Sequence, residues 1–186
     1  DYTSIIHPGH HKRLVALVED ARSKGATLHE INPAGEDLSA SRKVALTILT
    51  GCTDEMDVLN EEIFGPVLPI IAVDDLDAAL AYVNARPRPL SIYCFDRNRK
   101  RQEKVLTKTV SGGVCFNDTL FHNTQEELPF GGVGPSGMGS YHGHEGFLTF
   151  THRKSVLAQS RVAATAILNP PYTGMVEAVS KVFIGL

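Results

Sequence analysis

Stretches with the pattern of β-strands alternate with stretches with the pattern of α-helices in the middle of the chain. Apolar runs of strand length stand at 67–73, 91–95 and 113–117. Between them, 76–83 places its apolar residues on one helical face, and 97–108 is a polar stretch of helix length. This order predicts βαβ units, and therefore an α/β fold with a mostly parallel sheet and flanking helices.

An amphipathic helix and a further strand are predicted ahead of this alternation. Leu14 and Leu17 recur at helical spacing, and Gly25 gives the helix a natural stop. The β-branched and aliphatic run 44–50 predicts a strand. Pro69 cannot donate to a ladder of hydrogen bonds, so it is expected either to weaken the strand that contains it or to place that strand at a sheet edge.

The last third of the chain changes in character. Residues 128–146 are rich enough in glycine to predict an ordered loop without regular structure. Residues 147–157 alternate partly between apolar and polar, which predicts another strand. After a proline breaker at 169–171, a short amphipathic helix is predicted over 173–184, with Thr173 as its cap.

Composition narrows the class of protein and its compartment. A chain of 186 residues with 42% hydrophobic content suits one main globular domain. The net charge of −3, with acids and bases mixed along the chain, argues against a nucleic acid partner. No apolar run approaches the roughly 20 residues that span a bilayer, so no membrane association is expected. Three isolated cysteines predict reduced thiols and a cytoplasmic location.

Two local patterns suggest sites that their context does not favour. Residues 132–137 match GxGxxG, but a dinucleotide fingerprint needs a strand before it and a helix after it, and Pro135 interrupts it. His142 and His144 stand two positions apart in a glycine-rich loop and would need further ligands. Neither a Rossmann loop nor a metal site is therefore predicted.

The cysteines and a pair of acids raise the question of catalysis. Cys94 and Cys115 lie in strand-like apolar runs, where a thiol usually serves as inert packing. Cys52 follows Gly51 in a turn and is the least implausible nucleophile of the three. The pair at 61–62 fits a solvated acidic turn better than an acid–base site on spacing alone.

Two longer motifs carry a family resemblance. The sequence EEIFGPV at 61–67 resembles a motif of the aldehyde dehydrogenase superfamily. The sequence LPFGGVGPSGMGSYHG at 128–143 resembles the corresponding segment of its class 3 branch, which includes fatty, aromatic and coniferyl aldehyde dehydrogenases. The resemblance runs from about residue 1 to 157, and DYTSII at the start is similar to coniferyl aldehyde dehydrogenases in particular. It implies oxidation of an aromatic or long-chain aldehyde to the acid with NAD or NADP.

The resemblance also assigns cofactor contacts. Glu62 matches the glutamate that accepts from the hydroxyls of the nicotinamide ribose, and a carboxylate suits two vicinal hydroxyls. Phe64 matches the aromatic residue beside the nicotinamide, where its bulk helps to fix the position of the reacting ring. Glu61 is expected to be a bystander. The choice between NAD and NADP is left open.

A second group of residues matches the family's aldehyde entrance. Asn123, Thr124 and Phe130 correspond to substrate-funnel positions of the class 3 branch. Tyr141 and Phe130 could offer apolar faces to an aromatic or long-chain aldehyde. His142 resembles a histidine at the mouth of the funnel. Asn123 is polar where relatives can be apolar, so the size of the aldehyde is left open.

The family's catalytic cysteine and general-base glutamate have no match in the chain. The resemblance implies that both lie upstream of Asp1, with most of the cofactor-binding domain, and the opening on Asp1 without Met suggests a fragment or a processed product. The resemblance divides the chain into the C-terminal part of a catalytic domain (1–146), an oligomerisation strand (147–157) that implies a homo-oligomer, and a tail (158–186). The chain alone is expected to be inactive.

Two alternatives stay open from the residues. One is a non-enzymatic interaction module that uses the same fold. The other is an enzyme with a relocated nucleophile, such as Cys52, which rapid alkylation of a single thiol would support. Neither has a positive sequence feature behind it.

Overall fold

The computed structural model describes residues 2–39, 41–163, 165, 169–172 and 174–185. They form two compact units: the first comprises 1–88 and 96–110, and the second comprises 89–95 and 111–186. The first unit contains helix α1 (Pro8–Ser23), strands β1 (Thr27–Ile31), β2 (Leu46–Thr50) and β3 (Val67–Pro69), and helices α2 (Leu76–Asn84) and α3 (Arg99–Lys108). The second contains strands β4 (Ser91–Cys94) and β5 (Gly113–Phe116), and helices α4 (Gly143–Thr149) and α5 (Gly174–Ile184). The domain boundaries inferred from the sequence stay predictions.

A three-stranded sheet in the order β1-β2-β3 organises the first unit. Strand β2 pairs antiparallel with β1 and parallel with β3. Pro69 ends β3 at the sheet edge, as predicted, but the strand is shorter than the predicted 67–73. The core of this unit consists of buried residues from α1, from β2 and β3, and from the segments before β1 and at 56–58: Ala21, Ala26, Leu49, Met56, Val58 and Val67. The predicted amphipathic helix is confirmed as α1. The strand predicted at 44–50 is confirmed as β2, which begins at Leu46 and ends at Thr50.

The C-terminal end of α1 is bonded to the turn that precedes residues 60–66. The Asp20 carboxylate accepts from the Lys24 ammonium at 2.6 Å and from the Asp57 backbone N–H at 2.9 Å. The Lys24 ammonium and the Asp57 N–H hold the pKa of Asp20 below its ordinary value, because both stabilise the ionised carboxylate. Lys24 also donates to the Glu55 carbonyl at 2.7 Å. These bonds therefore fix the C-terminal end of helix α1 to the turn at residues 55–57.

A parallel pair of strands organises the second unit. Strands β4 and β5 pair in register from Ser91 with Gly113 to Cys94 with Phe116. A 3-10 helix, Phe121–Thr124, follows β5. The glycine-rich segment then doubles back on itself, with Phe130 and Tyr141 paired across it by two backbone hydrogen bonds of 3.0 Å. The prediction of an α/β fold with parallel strand pairs and flanking helices is confirmed.

The predicted strand at 147–157 is wrong. Helix α4 occupies the first three of its residues, and 151–160 has no regular structure. The Thr149 Oγ1 lies 2.8 Å from the Ser140 carbonyl oxygen and 2.9 Å from that of Glu145, so its single hydrogen is shared between the last turn of α4 and the segment before it. A strand needs a ladder partner, and within the part of the chain that the structure describes none lies beside 151–160. The loop predicted for 128–146 likewise ends early, because α4 begins at Gly143.

The tail contains the predicted short helix, α5, which begins at Gly174. Its proposed cap, Thr173, lies outside the described residues. Among the helices that the structure describes, none combines the length and the apolar character required to span a membrane.

Truncation of Leu49 should destabilise the first unit. Its side chain is 0% exposed in the middle of β2, whereas Leu46 in the same strand is 39% exposed. A cavity at a fully buried leucine typically costs about 2–5 kcal/mol. We expect Leu49→Ala to lower the urea midpoint of unfolding far more than Leu46→Ala does. The slope of the unfolding free energy against urea concentration should stay unchanged. Equal midpoints for the two variants would contradict the assigned core.

Candidate functional site

Glu62 and Phe64 lie on an exposed loop that connects the 3-10 helix Asp57–Leu59 to β3. Phe64 is 79% exposed and has φ of 49°, in the left-handed region that residues other than glycine seldom adopt. Among the described residues, no ion pair engages the Glu62 carboxylate. The loop therefore presents an aromatic ring and an available carboxylate on the surface.

Gly65 lets this loop approach α1 closely. A Cβ at this position would lie 2.6 Å from the side-chain carbons of Leu14, which is fully buried. At the next position in the chain, the Pro66 carbonyl accepts a hydrogen bond from the Thr47 N–H at 2.9 Å, which joins the loop to β2. The sequence Gly65-Pro66 thus sets the entry of the chain into β3.

The funnel candidates in the second unit form an aromatic cluster around Phe130. Its ring centroid lies 5.8 Å from that of Tyr141 and 6.3 Å from that of His142, and the rings of Tyr141 and His142 are 4.3 Å apart. His122 contacts the same phenylalanine at 5.6 Å. Such ring pairs are typical of packed aromatic clusters. Three of the five funnel residues are therefore in mutual contact.

Asn123 and Thr124 are carried by the 3-10 helix Phe121–Thr124 beside this cluster. The His122 ring anchors that helix: its Nε2 lies 3.0 Å from the Ser91 hydroxyl, at the start of β4. Sequence reasoning missed His122, although it stands next to Asn123 in the chain. The Nδ1 atoms of His122 and His142 are buried without a hydrogen-bond partner among the described residues.

Close approaches of backbone to backbone hold the glycine-rich segment in place. An added Cβ on Gly112 would lie 2.0 Å from the Gly131 carbonyl oxygen, and one on Gly131 would lie 2.0 Å from that of Gly139. A Cβ added to Gly132 would likewise lie 2.0 Å from the Ser136 carbonyl oxygen. These contacts leave no space for any side chain. The GxGxxG pattern at 132–137 thus serves a tight backbone crossing, and no helix follows it directly.

An open, mostly apolar cavity of about 380 Å³ lies beside this crossing. Its lining includes Leu90, Phe130, Met138, Tyr141 and Phe150. The five funnel candidates belong to the second unit, whereas Glu62 and Phe64 belong to the first. Within the described residues, no cluster of three potential metal ligands occurs.

Cys52 lacks the environment of an activated thiol. Burial raises the pKa of the Cys52 thiol above its ordinary value, because a thiolate is poorly solvated there. Cys94 and Cys115 lie within β4 and β5, as predicted. No feature of the described residues marks one of the three as a catalytic nucleophile.

Cys52 should therefore react slowly with alkylating agents. Since its pKa is raised, little thiolate forms at neutral pH, and the rate should increase only at pH values above those at which an ordinary thiol ionises. Iodoacetamide labelling across a pH series, read by peptide mass spectrometry against a small free thiol, measures this. Rapid labelling of Cys52 at neutral pH would support the relocated nucleophile instead.

Comparison with known proteins identifies the class. The family model described as aldehyde dehydrogenase family matches residues 1–156. The chain therefore belongs to the aldehyde dehydrogenase family, which confirms the resemblance seen in its two motifs.

Individual relatives place it near the coniferyl aldehyde dehydrogenases. It is 50% identical to a probable coniferyl aldehyde dehydrogenase of Caulobacter vibrioides, over 92% of this chain and 36% of the relative. It is 48% identical to a coniferyl aldehyde dehydrogenase of Pseudomonas sp., over 99% of this chain and 39% of the relative. The substrate-bound structure of Staphylococcus aureus AldH matches with a TM-score of 0.74 and 38% identity, over 98% of this chain and 39% of that one. The chain thus spans less than two fifths of the length of these relatives.

Proposed function

We propose that this chain is the C-terminal part of an NAD- or NADP-dependent aldehyde dehydrogenase that oxidises an aromatic, coniferyl-type or long-chain aldehyde to the acid. Identity of 48–50% to coniferyl aldehyde dehydrogenases over nearly the whole chain carries this proposal. The exposed loop with Glu62 and Phe64 supports it, since both residues stand free to meet a ligand.

The loop at 61–65 suits the nicotinamide end of a dinucleotide. The Glu62 carboxylate can accept hydrogen bonds from two vicinal ribose hydroxyls. The Phe64 ring, 79% exposed and held out by its left-handed backbone, can pack against the flat nicotinamide and limit its orientations. The bound dinucleotide would supply the acceptor for the hydride that leaves the aldehyde carbon.

The aromatic cluster in the second unit suits the entrance for the aldehyde. Phe130 and Tyr141 form an apolar surface, with His142 beside it and Asn123 and Thr124 on the adjacent 3-10 helix. Such a surface favours flat or extended apolar substrates over small polar ones. We assign the nucleophilic thiolate and the general base to residues outside these 186, because the motifs that resemble the family contain neither group and burial raises the pKa of the Cys52 thiol.

We also propose that the whole protein is a cytoplasmic homo-oligomer joined through residues 147–157. Beyond α4, residues 152–157 of this segment are exposed and belong to no helix or strand, so their backbone groups could pair with those of a neighbouring subunit. Light scattering of the whole protein and of a variant with Val156→Pro tests this assignment. A monomeric wild-type protein would contradict it.

Absorbance of the reduced dinucleotide tests the proposed activity. The whole protein should oxidise coniferyl aldehyde and benzaldehyde with NAD or NADP more efficiently than it oxidises a small polar aldehyde such as glyceraldehyde. The 186-residue chain alone should give no turnover. Turnover by the chain alone, abolished by alkylation of one cysteine, would overturn the assignment of the nucleophile. No turnover by the whole protein would favour the interaction module.

A further inference from the structure

Three successive carbonyl groups of the loop at 62–64 accept hydrogen bonds from one face of α1. The Arg13 guanidinium donates from Nη1 to the Glu62 carbonyl at 3.0 Å and from Nη2 to the Ile63 carbonyl at 2.5 Å. His10, one helical turn earlier, places Nε2 2.9 Å from the Phe64 carbonyl. A carbonyl can only accept, so this nitrogen carries the hydrogen. The backbone of the loop is thus bound to the helix at every residue from 62 to 64.

This backbone needs such support. Residues 60–66 belong to no helix or strand, and Phe64 adopts a left-handed conformation that persists only where surrounding contacts impose it. Arg13 suits the task because its planar guanidinium can donate to two acceptors at once in a fixed geometry. Its side chain is 32% exposed, so these bonds are partly shielded from water.

The contacts of Arg13 also differ between the two acids of the motif, Glu61 and Glu62. The guanidinium lies 3.7 Å from the Glu61 carboxylate, whereas it meets Glu62 only through the backbone carbonyl. Glu61 therefore balances the positive charge of Arg13. The Glu62 carboxylate stays available to accept from a ligand, and Glu61, expected from the sequence to be a bystander, has an electrostatic role.

We propose that Arg13 is a positioning residue for the dinucleotide, acting through the backbone of the loop at 61–65. It orders the loop so that the Glu62 carboxylate and the Phe64 ring face the ligand together. This inference rests on the proposed function, since it assumes that the loop binds NAD or NADP. Arg13 itself is not placed in contact with the dinucleotide.

The test compares Arg13→Met with Arg22→Met in the whole protein. Arg22 lies on the same helix, but its guanidinium pairs with Glu19, at 3.0 Å, on the surface of that helix. Hydrogen exchange should accelerate in the peptide covering 57–67, where the Glu61 and Val67 N–H groups donate to the Asp57 and Gly65 carbonyls, in Arg13→Met and not in Arg22→Met, with the peptides of β2 unchanged in both. The KM for the dinucleotide should rise about tenfold in Arg13→Met, as loss of a charge-assisted hydrogen bond implies, with the KM for the aldehyde within about twofold of wild type. Arg13→Lys should lie between, because an ammonium cannot reproduce the two-pronged donation.

Each outcome decides one claim. Equal exchange and equal dinucleotide KM in Arg13→Met and Arg22→Met would overturn the role of Arg13 while leaving the proposed function intact. Faster exchange throughout the first unit in Arg13→Met and also in Arg13→Lys would overturn it too, because the residue would then act on general stability. A wild-type protein that binds neither NAD nor NADP in a fluorescence titration would contradict the proposed function, and this inference with it.

Discussion

Gly131→Ala should unfold the second unit or destabilise it severely. An added Cβ would lie 2.0 Å from the Gly139 carbonyl oxygen and 2.9 Å from the Ser140 Cα, and both are backbone atoms that cannot rotate aside. Overpacking into a filled site typically costs about 1–3 kcal/mol even where side chains can adjust. Here two backbone segments would have to separate, so we expect a cost at or above the upper end of that range. The Phe130–Tyr141 pair next to this glycine should separate with them.

A matched glycine in the same unit provides the control. Gly174 lies at the start of α5, and a Cβ added to it would meet no described atom within 4 Å, so Gly174→Ala should be neutral or slightly stabilising. Urea unfolding of the two variants, with near-ultraviolet circular dichroism to follow the aromatic cluster, measures the difference. If Gly131→Ala unfolded at the wild-type midpoint with its aromatic signal intact, the backbone crossing described for this segment would be wrong.

The regular elements with strong apolar periodicity could be predicted from the sequence. Helix α1 follows from the spacing of Leu14 and Leu17, and the runs that became β4 and β5 follow from their apolar character. Strand β1 was missed because it is a mostly exposed edge strand, in which His29 and Glu30 interrupt the apolar pattern. The strand expected at 147–157 was wrong because partial alternation does not determine whether a ladder partner exists.

Only those residues of the candidate site that match a family motif could be predicted from the sequence. The family resemblance assigned Glu62 and Phe64 as cofactor candidates and five further residues as funnel candidates, and these assignments stay predictions. It gave no sign of Arg13, which bonds to a carbonyl 49 positions away, or of the contact between His122 and Ser91, 31 positions apart. Contacts of this kind depend on the fold and leave no local pattern. The close glycine contacts were visible in the sequence only as composition, and their reason required the backbone geometry.

Glu62→Gln should weaken dinucleotide binding by the whole protein about 10- to 100-fold, if the loop binds the nicotinamide ribose as proposed. Hydrogen bonds to a charged group contribute about 1.5–3 kcal/mol each, and the amide loses the charge and one of the two acceptor oxygens while it keeps the shape. The KM for the dinucleotide should rise accordingly, with a smaller change in the KM for the aldehyde.

Glu55→Gln is the matched control, since Glu55 is likewise exposed in the turn before the loop and should leave both constants near wild type. Steady-state kinetics with NAD and with NADP, supported by fluorescence titration of the reduced dinucleotide, measure both variants. A Glu62→Gln protein with wild-type affinity for both dinucleotides would remove Glu62 from the cofactor site, and an equal loss in Glu55→Gln would trace the effect to the net charge of the surface.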